Sequence, residues 1–333
     1  MVESLKQNSR YRILVTGSRG KSSLVRLLHC ALNHCEIPTY ARMTGVVPRE
    51  LGPESDKTIL RSAGAHVEEM RWWLNQLPDD YSGIVLENSA IAKDLQPLAG
   101  QWLRPQVAIL ANILPDHQEV WGPTTDCAAM TLVAGIPKGC PVVIPDQLKN
   151  HPLLSSQLKR KGCPIIVAET QHCGSFDFQQ YNIQLALAAL QSVGCEKNIA
   201  LEGLERLKPD RFDFHVKYKD GVEFAMAFTA NDVASTVGLF QSLSWREEET
   251  LLVFNHRSDR IGRLNSFIDW INQSGWRDVM IIGDKPRRFR STARFLKIND
   301  PVSLLKAFKR GDRIFGCGNI AGLPLKMVSG AGW

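Results

Sequence analysis

The segment that most constrains the fold is a glycine-containing turn that links a short apolar run to a helix-like stretch. The apolar run is Tyr11–Val15, and the turn reads Thr-Gly-Ser-Arg-Gly-Lys-Ser over residues 16–22. After the turn, apolar residues recur at helical spacing, namely at Leu24, Leu27, Leu28, Ala31 and Leu32. A strand followed by a turn and a helix is the basic unit of an α/β fold with a parallel sheet.

The same turn is typical of phosphate-binding loops, because its backbone N–H groups and the helix N-terminus form a cradle for phosphates. The full Walker pattern has a glycine five residues before Gly20, where this chain has Val15, so the loop is a shortened form. A plain glycine-rich turn is the alternative, but the order of strand, Gly-Lys-Ser and helix favours phosphate binding. Lys21 would then reach the terminal phosphates, and the Ser22 hydroxyl would ligate Mg²⁺. The predicted phosphate-binding residues are Thr16, Gly17, Ser18, Arg19, Gly20, Lys21, Ser22 and Ser23.

Two further strand-like runs are followed by polar side chains. Glu87 directly follows Ile84–Leu86, and His117 closes a segment that follows Val107–Leu110. Because ligands bind at the carboxyl edge of a parallel sheet, Glu87 is a candidate ligand for Mg²⁺, and His117 for a second metal ion. A solvated glutamate and a structural histidine are the alternatives, but the phosphate loop at the same edge favours metal binding. Asp116 is a candidate to orient the imidazole of His117.

Strand and helix patterns alternate along the whole chain and are interrupted by the polar segment Leu207–Asp213. A length of 333 residues fits two domains, which we predict at 1–210 and 211–333. The predicted fold class is α/β, with a mostly parallel sheet in the first domain and a smaller Rossmann-like α/β domain after it.

Local patterns fill in this outline. Continuous apolar runs at Val142–Ile144 and Ile165–Ala168 predict parallel strands that are covered on both faces. The amphipathic segment Asn182–Val193 predicts a helix, and Asp220–Gly221 predicts the turn of a β-hairpin.

Composition and charge exclude several classes of protein. A hydrophobic fraction of 44% and a charged fraction of 22% are typical of globular proteins and not of disordered ones. The net charge of +6 fits an anionic partner but is too small to indicate nucleic acid. The 8 cysteines are scattered without a C-x-x-C pair, which disfavours zinc ribbons and thioredoxin-like sites. No apolar run approaches the ~20 residues of a membrane span, and the N-terminus lacks a secretory signal, so we expect a cytoplasmic protein with free thiols.

The three polar motifs resemble, in the same order, those of the ATP-binding domain of the Mur ligase superfamily. That family carries T-G-x-x-G-K-[ST], a strand-end Glu followed by x-Ser, and N-x-x-x-D-H, which match Thr16–Ser22, Glu87–Ser89 and Asn112–His117. By the same resemblance, Asn182 begins the helix that borders the adenine pocket. Arg211 would correspond to the arginine between the domains that contacts the nucleotide in this family.

Further motifs resemble the PgsB/CapB family of poly-γ-glutamate synthase subunits. They are Met43–Gly45, Gly122–Thr124, Phe228–Asp232, Asn255–Arg260 and Gly316–Ile320. The correspondence runs from about residue 11 to about residue 325, and an ordered set of motifs is far more specific than any single one.

The resemblance implies an ATP-dependent ligase that joins an amino acid, expected to be glutamate, to a carboxylate acceptor through an acyl phosphate. ATP and Mg²⁺ are the implied cofactors. The implied catalytic residues are Lys21, Glu87 and His117, and the implied metal ligands are Ser22, Thr44, Glu87 and His117. Candidate substrate-binding residues are Arg61, Asn231, Asp232 and Arg260. Arg61 either holds the acceptor carboxylate bidentately or is an ordinary surface arginine, and Asp–Arg pairs are commonly structural.

The implied partners are the small-molecule amino acid, the carboxylate acceptor and membrane-bound synthase subunits. We do not expect nucleic acid as a partner, and the chain could form an oligomer. The protein would reach the inner face of the membrane through its partners. The alternative is a nucleotide-switched binding protein that closes on a partner without forming an amide, since Met130–Leu132 stands where Mur ligases often carry a carbamylated lysine. A kinase is a third interpretation.

Overall fold

The computed structural model describes residues 11–45, 47–61, 65–78, 81–114, 117–170, 178–230, 232–286 and 293–330, without the side chains of Gln118, Arg260 and Ile261. The chain divides into two compact units, Met1–Lys208 and Pro209–Trp333. This division lies inside the polar segment Leu207–Asp213.

The first unit is built on an 8-stranded sheet with the order β4-β3-β2-β5-β1-β6-β7-β8. Its strands are β1 (Tyr11–Thr16), β2 (Thr39–Met43), β3 (Arg49–Gly52), β4 (Ser55–Thr58), β5 (Gly83–Glu87), β6 (Val107–Leu110), β7 (Val142–Pro145) and β8 (Ile165–Ala168). Strand β3 is antiparallel to both β2 and β4, and all other neighbours are parallel. This confirms the predicted α/β class with a mostly parallel sheet.

Helices cover both faces of this sheet. In chain order they are α1 (Lys21–His34), α2 (Glu69–Gln76), α3 (Gln96–Leu103), α4 (Gln118–Trp121), α5 (Thr125–Ala134), α6 (Pro152–Arg160), α7 (Phe178–Ser192) and α8 (Lys197–Glu205). One core forms between the sheet and α1, α7 and α8. A second core on the opposite face includes α2, α3, α5 and α6. Buried leucines of α1 such as Leu24 and Leu28 are fully inaccessible to solvent, and burying each one stabilises the fold by roughly 2 kcal/mol.

The register of the central strands brings three chain segments to one edge of the sheet. Strand β1 lies between β5 and β6, with Val15 opposite Glu87 and Thr16 opposite Leu110. All three strands run in the same direction, so the turn after β1, the end of β5 and the segment after β6 meet at this carboxyl edge.

The structure corrects one sequence expectation in this sheet. Ile165–Ala168 forms a strand as predicted, but Ile165 and Val167 are 39% and 42% exposed. The expectation that both faces are covered is wrong here, because β8 is the outermost strand of the sheet. An apolar run by itself does not distinguish a central strand from an edge strand.

The second unit contains a 6-stranded sheet with the order β13-β12-β11-β14-β10-β9. Its strands are β9 (Val216–Lys219), β10 (Val222–Met226), β11 (Thr250–His256), β12 (Asp278–Gly283), β13 (Arg294–Phe295) and β14 (Arg313–Cys317). Its helices are α9 (Val233–Gln241), α10 (Ile261–Gln273), α11 (Pro301–Leu305) and α12 (Leu323–Ser329). Apolar clusters occupy both faces of the sheet.

The hairpin between β9 and β10 is confirmed. Asp220 and Gly221 both have positive φ, 52° and 80°, as a two-residue type I′ turn requires. The strands on either side pair antiparallel, with Val222 opposite Lys219. In the described part of both units, no helix is long and apolar enough to cross a membrane.

Candidate functional site

The loop between β1 and α1 has the backbone of a phosphate cradle. Gly17 has φ 138° and Gly20 has φ 76°, a region that side chains with a Cβ rarely adopt. A Cβ on Gly17 would also lie 3.0 Å from the Cβ of Ala111. Helix α1 begins directly after Gly20, so the first amides of a 14-residue helix face the loop without a capping side chain at that position.

The loop is held from the neighbouring strand by Asn112. Its Oδ1 accepts a hydrogen bond from the backbone N–H of Arg19 at 3.0 Å, and its Nδ2 donates to the carbonyl oxygen of Arg19 at 3.2 Å. The backbone N–H of Ser18 donates to the carbonyl of Asn112 at 3.3 Å, and the Ser18 hydroxyl donates to the carbonyl of Leu114 at 2.6 Å. The sequence places Asn112 in the motif Asn112–His117 but indicates no role for it. The sequence signal is its position two residues past Leu110, at the carboxyl edge of the sheet, and this position alone does not reveal that β6 is the neighbour of β1.

The side chain of Lys21 folds back over the loop. Its ammonium group donates to the carbonyl oxygen of Gly17 at 2.7 Å and to that of Ser18 at 3.4 Å. The positive charge therefore lies over the curve of the loop, where a bound phosphate would compete with these carbonyls for it.

Glu87 accepts hydrogen bonds from the hydroxyl groups of Ser22 and Thr44, and these three residues form the Glu87 cluster. It is 3% exposed. Its Oε2 accepts from the Ser22 hydroxyl at 2.8 Å and from the Thr44 amide at 3.1 Å, and its Oε1 accepts from the Thr44 hydroxyl at 2.6 Å. The structure thus brings together three predicted metal ligands, from the start of α1, the segment after β2 and the end of β5.

The donor set of this cluster fits Mg²⁺. The cluster offers a carboxylate and two hydroxyl oxygens, and Mg²⁺ prefers oxygen ligands and keeps several waters beside a few protein groups. Gly45 lies next to Ser22 in this cluster. A Cβ placed on Gly45 would be 2.8 Å from the Ser22 hydroxyl oxygen. A side chain at residue 45 would therefore crowd the serine.

His117 lies in a different setting from the Glu87 cluster. Its φ is 45°, and its ring lies 5.4 Å from that of Trp121 and 3.8 Å, Nδ1 to Oε1, from the carboxylate of Glu119. Asp116, its predicted orienting partner, lies outside the described residues. Across the described residues there is no group of three or more His, Cys, Asp or Glu side chains arranged to hold a metal ion. The role of His117 as a second metal ligand stays a prediction.

Asn182 lies beside the phosphate loop. It is buried on α7, and its Oδ1 would lie 3.3 Å from a Cβ placed on Gly20. The structure therefore brings together the loop and the residue predicted at the adenine pocket. The expectation that Asn182 begins the helix is wrong, because α7 begins at Phe178.

Two predicted substrate residues already have protein partners. Arg61 donates from Nε and Nη2 to Oε2 of Glu69 at 3.1 and 2.8 Å. Asp232 is the N-cap of α9 and accepts from the amide and the hydroxyl of Ser235, both at 2.8 Å. These contacts are compatible with a structural role for each residue.

The structure describes the surroundings of only some of the remaining predicted residues, which are Arg211, Asn231 and Arg260. Arg211 is exposed, with its guanidinium carbon 4.9 Å from the ring centroid of Phe212. Asn231 lies outside the described residues, and of Arg260 only the backbone is described, in a short 3₁₀ helix, Ser258–Arg260.

Both units match the sequence profiles of known protein families. Residues 15–194 match the sequence profile of the Mur ligase middle domain, and residues 212–330 match that of the poly-gamma-glutamate synthase CapB C-terminal domain. The chain is 24% identical over 353 residues to PGA synthase CapB of Bacillus subtilis, an alignment that covers 95% of this chain and 89% of that protein.

Solved structures share the fold. Folylpolyglutamate synthase from Thermotoga maritima superposes with a TM-score of 0.67 at 14% identity, over 99% of this chain and 93% of that chain. FolC of E. coli in complex with ADP superposes with a TM-score of 0.66 at 15% identity, over 96% and 90%. The profile match covers more than half of the chain, from Val15 to Gly194, so the chain belongs to the Mur ligase family and carries a C-terminal domain of the CapB type.

Proposed function

We propose that this protein is an ATP-dependent ligase that joins glutamate to a carboxylate acceptor through an acyl-phosphate intermediate, with release of ADP. The observation that carries the proposal is the convergence of Ser22, Thr44 and Glu87 beside the phosphate loop. Membership of the Mur ligase family and the similarity to PGA synthase CapB support the reaction class.

ATP would bind with its phosphates against residues 16–23 and its base towards Asn182, while Arg211 is proposed as a further nucleotide contact. Mg²⁺ would be held by Ser22, Thr44 and Glu87, and when bound there it would neutralise charge on the terminal phosphates. Lys21 would exchange its contacts with the loop carbonyls for the terminal phosphate, which moves its charge onto the transferred group.

The first chemical step is attack of an acceptor carboxylate oxygen on the γ-phosphorus, which breaks the bond to the β-phosphate oxygen and releases ADP. This kind of transfer depends mainly on positioning and on charge neutralisation. The glutamate amine then attacks the acyl carbon, loses a proton and displaces inorganic phosphate. We assign His117 to a second metal ion near these phosphates, and Arg61, Asn231, Asp232 and Arg260 to the binding of the two substrates.

We place the enzyme in the cytoplasm, working at the inner face of the membrane with membrane-bound synthase subunits. The support for this is the similarity to poly-γ-glutamate synthase proteins.

The decisive experiment incubates the purified protein with ATP, Mg²⁺, a carboxylate acceptor and each of the twenty amino acids in turn. ADP and product mass are measured, with the Lys21→Ala variant as the inactive control and Lys149→Ala, at an exposed lysine of the same unit, as the active one. The ligase releases ADP only when glutamate and acceptor are both present, and the acceptor gains the mass of one glutamyl residue. ATP binding without stimulation by glutamate would instead support a nucleotide-switched binding protein, and a stable phosphorylated product would support a kinase.

A further inference from the structure

A buried arginine lies close to the Glu87 cluster and has no assigned role. Arg42 is on β2, two residues before Thr44, and its side chain is 1% exposed. In the strand register it lies opposite Leu86, the neighbour of Glu87. Glu87 is near enough to act on the charge of Arg42 electrostatically.

The guanidinium of Arg42 is only partly satisfied. Its Nη2 donates to Oε2 of Glu69 at 2.7 Å. Its Nε and Nη1 are both buried and have no hydrogen-bond partner within the described residues. A guanidinium keeps its charge in proteins and carries five N–H donors, and leaving such donors unpaired in the interior is costly. Burial accordingly lowers the pKa of Arg42, while the charge of Glu69 opposes that shift.

The carboxylate that holds Arg42 is shared. Oε2 of Glu69 accepts from Arg42 and twice from Arg61, and Oε1 accepts from the backbone N–H of His66 at 3.1 Å. Two arginines and one carboxylate leave one positive charge unmatched in this group of three side chains. The carboxylate of Glu87 is occupied by Ser22 and Thr44, and a metal ion bound there would cancel its effect on Arg42.

The group can be reached from solvent through Arg61. The side chain of Arg61 is 25% exposed, against 1% for Arg42. An anion that takes the place of Glu69 at Nη2 of Arg42 would therefore enter past Arg61. On Arg42 the Nη2 nitrogen adjoins both unpaired nitrogens, so with either Nε or Nη1 it forms a planar fork that matches the two oxygens of a carboxylate.

We propose that Arg42 and Arg61 form the binding subsite for a carboxylate of the acceptor, with Glu69 holding both guanidinium groups in place until the acceptor arrives. This inference rests on the proposed ligase function and adds the group that positions its acceptor. The chemistry recognised is a planar anion with two oxygens, and a phosphate group could offer similar oxygens, so the test separates the two sources.

The test is a calorimetric titration of the whole chain with γ-linked triglutamate, in the presence of Mg²⁺ and a non-hydrolysable ATP analogue. The variant Arg42→Lys keeps the charge but loses the fork. We expect it to bind triglutamate about tenfold more weakly or worse, with the affinity for the ATP analogue unchanged. The matched control is Arg49→Lys, at a buried arginine of β3 paired with Asp56 at 2.7 Å, which should bind triglutamate as the wild type does.

A second titration with inorganic phosphate identifies the ligand. Loss of phosphate or ATP-analogue affinity in Arg42→Lys, with triglutamate binding intact, would assign the arginine to the nucleotide and overturn the proposal. Unchanged triglutamate binding in the variant, or no triglutamate binding by the wild type, would overturn it as well. Thermal unfolding shows whether Arg42→Lys folds, and if it does not, Arg61→Lys at the exposed end of the subsite takes its place with the same expected loss.

Failure of the subsite differs from failure of the ligase function. If the wild type forms the amide and Arg42→Lys binds triglutamate normally, the subsite is wrong and the function stands. If the wild type forms no amide, the function is wrong, and the triglutamate titration still decides whether Arg42 binds a carboxylate.

Discussion

The side-chain amide of Asn112 pairs with both backbone groups of Arg19, at 3.0 and 3.2 Å. A residue two positions past the end of β6 thereby holds the conformation of the loop that follows β1. A loop of this kind can direct its amides at a phosphate group only in one conformation, so we propose that this pairing raises the affinity for ATP without contacting the nucleotide.

We therefore expect Asn112→Ala to raise the dissociation constant for ATP by about tenfold, since two hydrogen bonds worth roughly 1 kcal/mol each are lost from the loop. The matched control is Asn33→Ala. Asn33 also binds backbone on both sides, the carbonyl of His29 and the amide of Thr39, but at the far end of α1. Both variants should lose similar thermal stability, and equal ATP affinity in the two would contradict the role of Asn112.

Replacing Glu87 should change the Mg²⁺ requirement. Glu87→Gln keeps the size of the side chain but removes the charge that a divalent cation would meet. We expect the Mg²⁺ concentration for half-maximal ADP release to rise by about tenfold. Glu50→Gln is the control, because Glu50 is a hydrogen-bonded carboxylate of the same sheet, accepting from the indole of Trp73 at 2.5 Å. A magnesium dependence identical to the wild type in Glu87→Gln would remove Glu87 from the metal site.

Gly45→Ala tests the packing around Ser22 and Glu87. The added Cβ would lie 2.8 Å from the Ser22 hydroxyl oxygen, so the serine has to move away from Glu87. We expect kcat/KM for ATP to fall by about tenfold, with little change in thermal stability. Gly262→Ala on α10, where a Cβ meets nothing within 4 Å, should leave the kinetics unchanged. Wild-type kcat/KM in Gly45→Ala would show that Ser22 does not need this position.

The shared carboxylate of Glu69 should appear in the pH dependence of stability. Burial opposes its ionisation, but hydrogen bonds from Arg61 and the His66 amide and the charges of Arg61 and Arg42 outweigh that, so its pKa lies below the ordinary 4.5. As the pH falls, the unfolded chain takes up this proton first. The stabilisation from ionised Glu69 is thus complete above about pH 4.5 and is lost as the pH falls through the lower folded-state pKa.

Glu69→Gln should remove this dependence. At pH 7 the variant is expected to be less stable by about 1–3 kcal/mol, because Arg42 loses its charged partner. Below about pH 4.5 the difference from the wild type should shrink. Urea unfolding between pH 3 and 7 measures both effects, and a constant difference across that range would show that Glu69 does not carry the depressed pKa.

The phosphate loop and Glu87 could be located from the sequence because each is local. The loop needs only Gly17, Gly20 and Lys21 between a strand and a helix, and Glu87 needs only its place at the end of an apolar run. Once the strands are parallel, geometry brings such residues to the same edge.

The roles of Asn112 and Arg42 could not be found in this way. Asn112 acts on the loop only because β6 is the direct neighbour of β1, and strand order is not written in local pattern. Arg42 lies in β2, whose sequence Thr39–Met43 is of mixed polarity, and an arginine in such a segment normally indicates exposure. Its burial depends on Glu69, which lies 27 residues later in the chain, so the pairing is visible only in three dimensions. Strands β3 and β4 escaped prediction because Arg49–Gly52 and Ser55–Thr58 are short and polar.

The strand register sets Val15 opposite Glu87 and Thr16 opposite Leu110. A change in the length of one of these strands would disturb this register, whereas a change in the length of a connecting segment would not. Inserting one residue within β1 would shift the loop by about 3.3 Å along its neighbours and turn the following side chains to the opposite face. An insertion in the link between β5 and α3 would leave that alignment intact. Evolutionary drift in chain length should therefore accumulate in the connections, while the three central strands keep a constant count of residues.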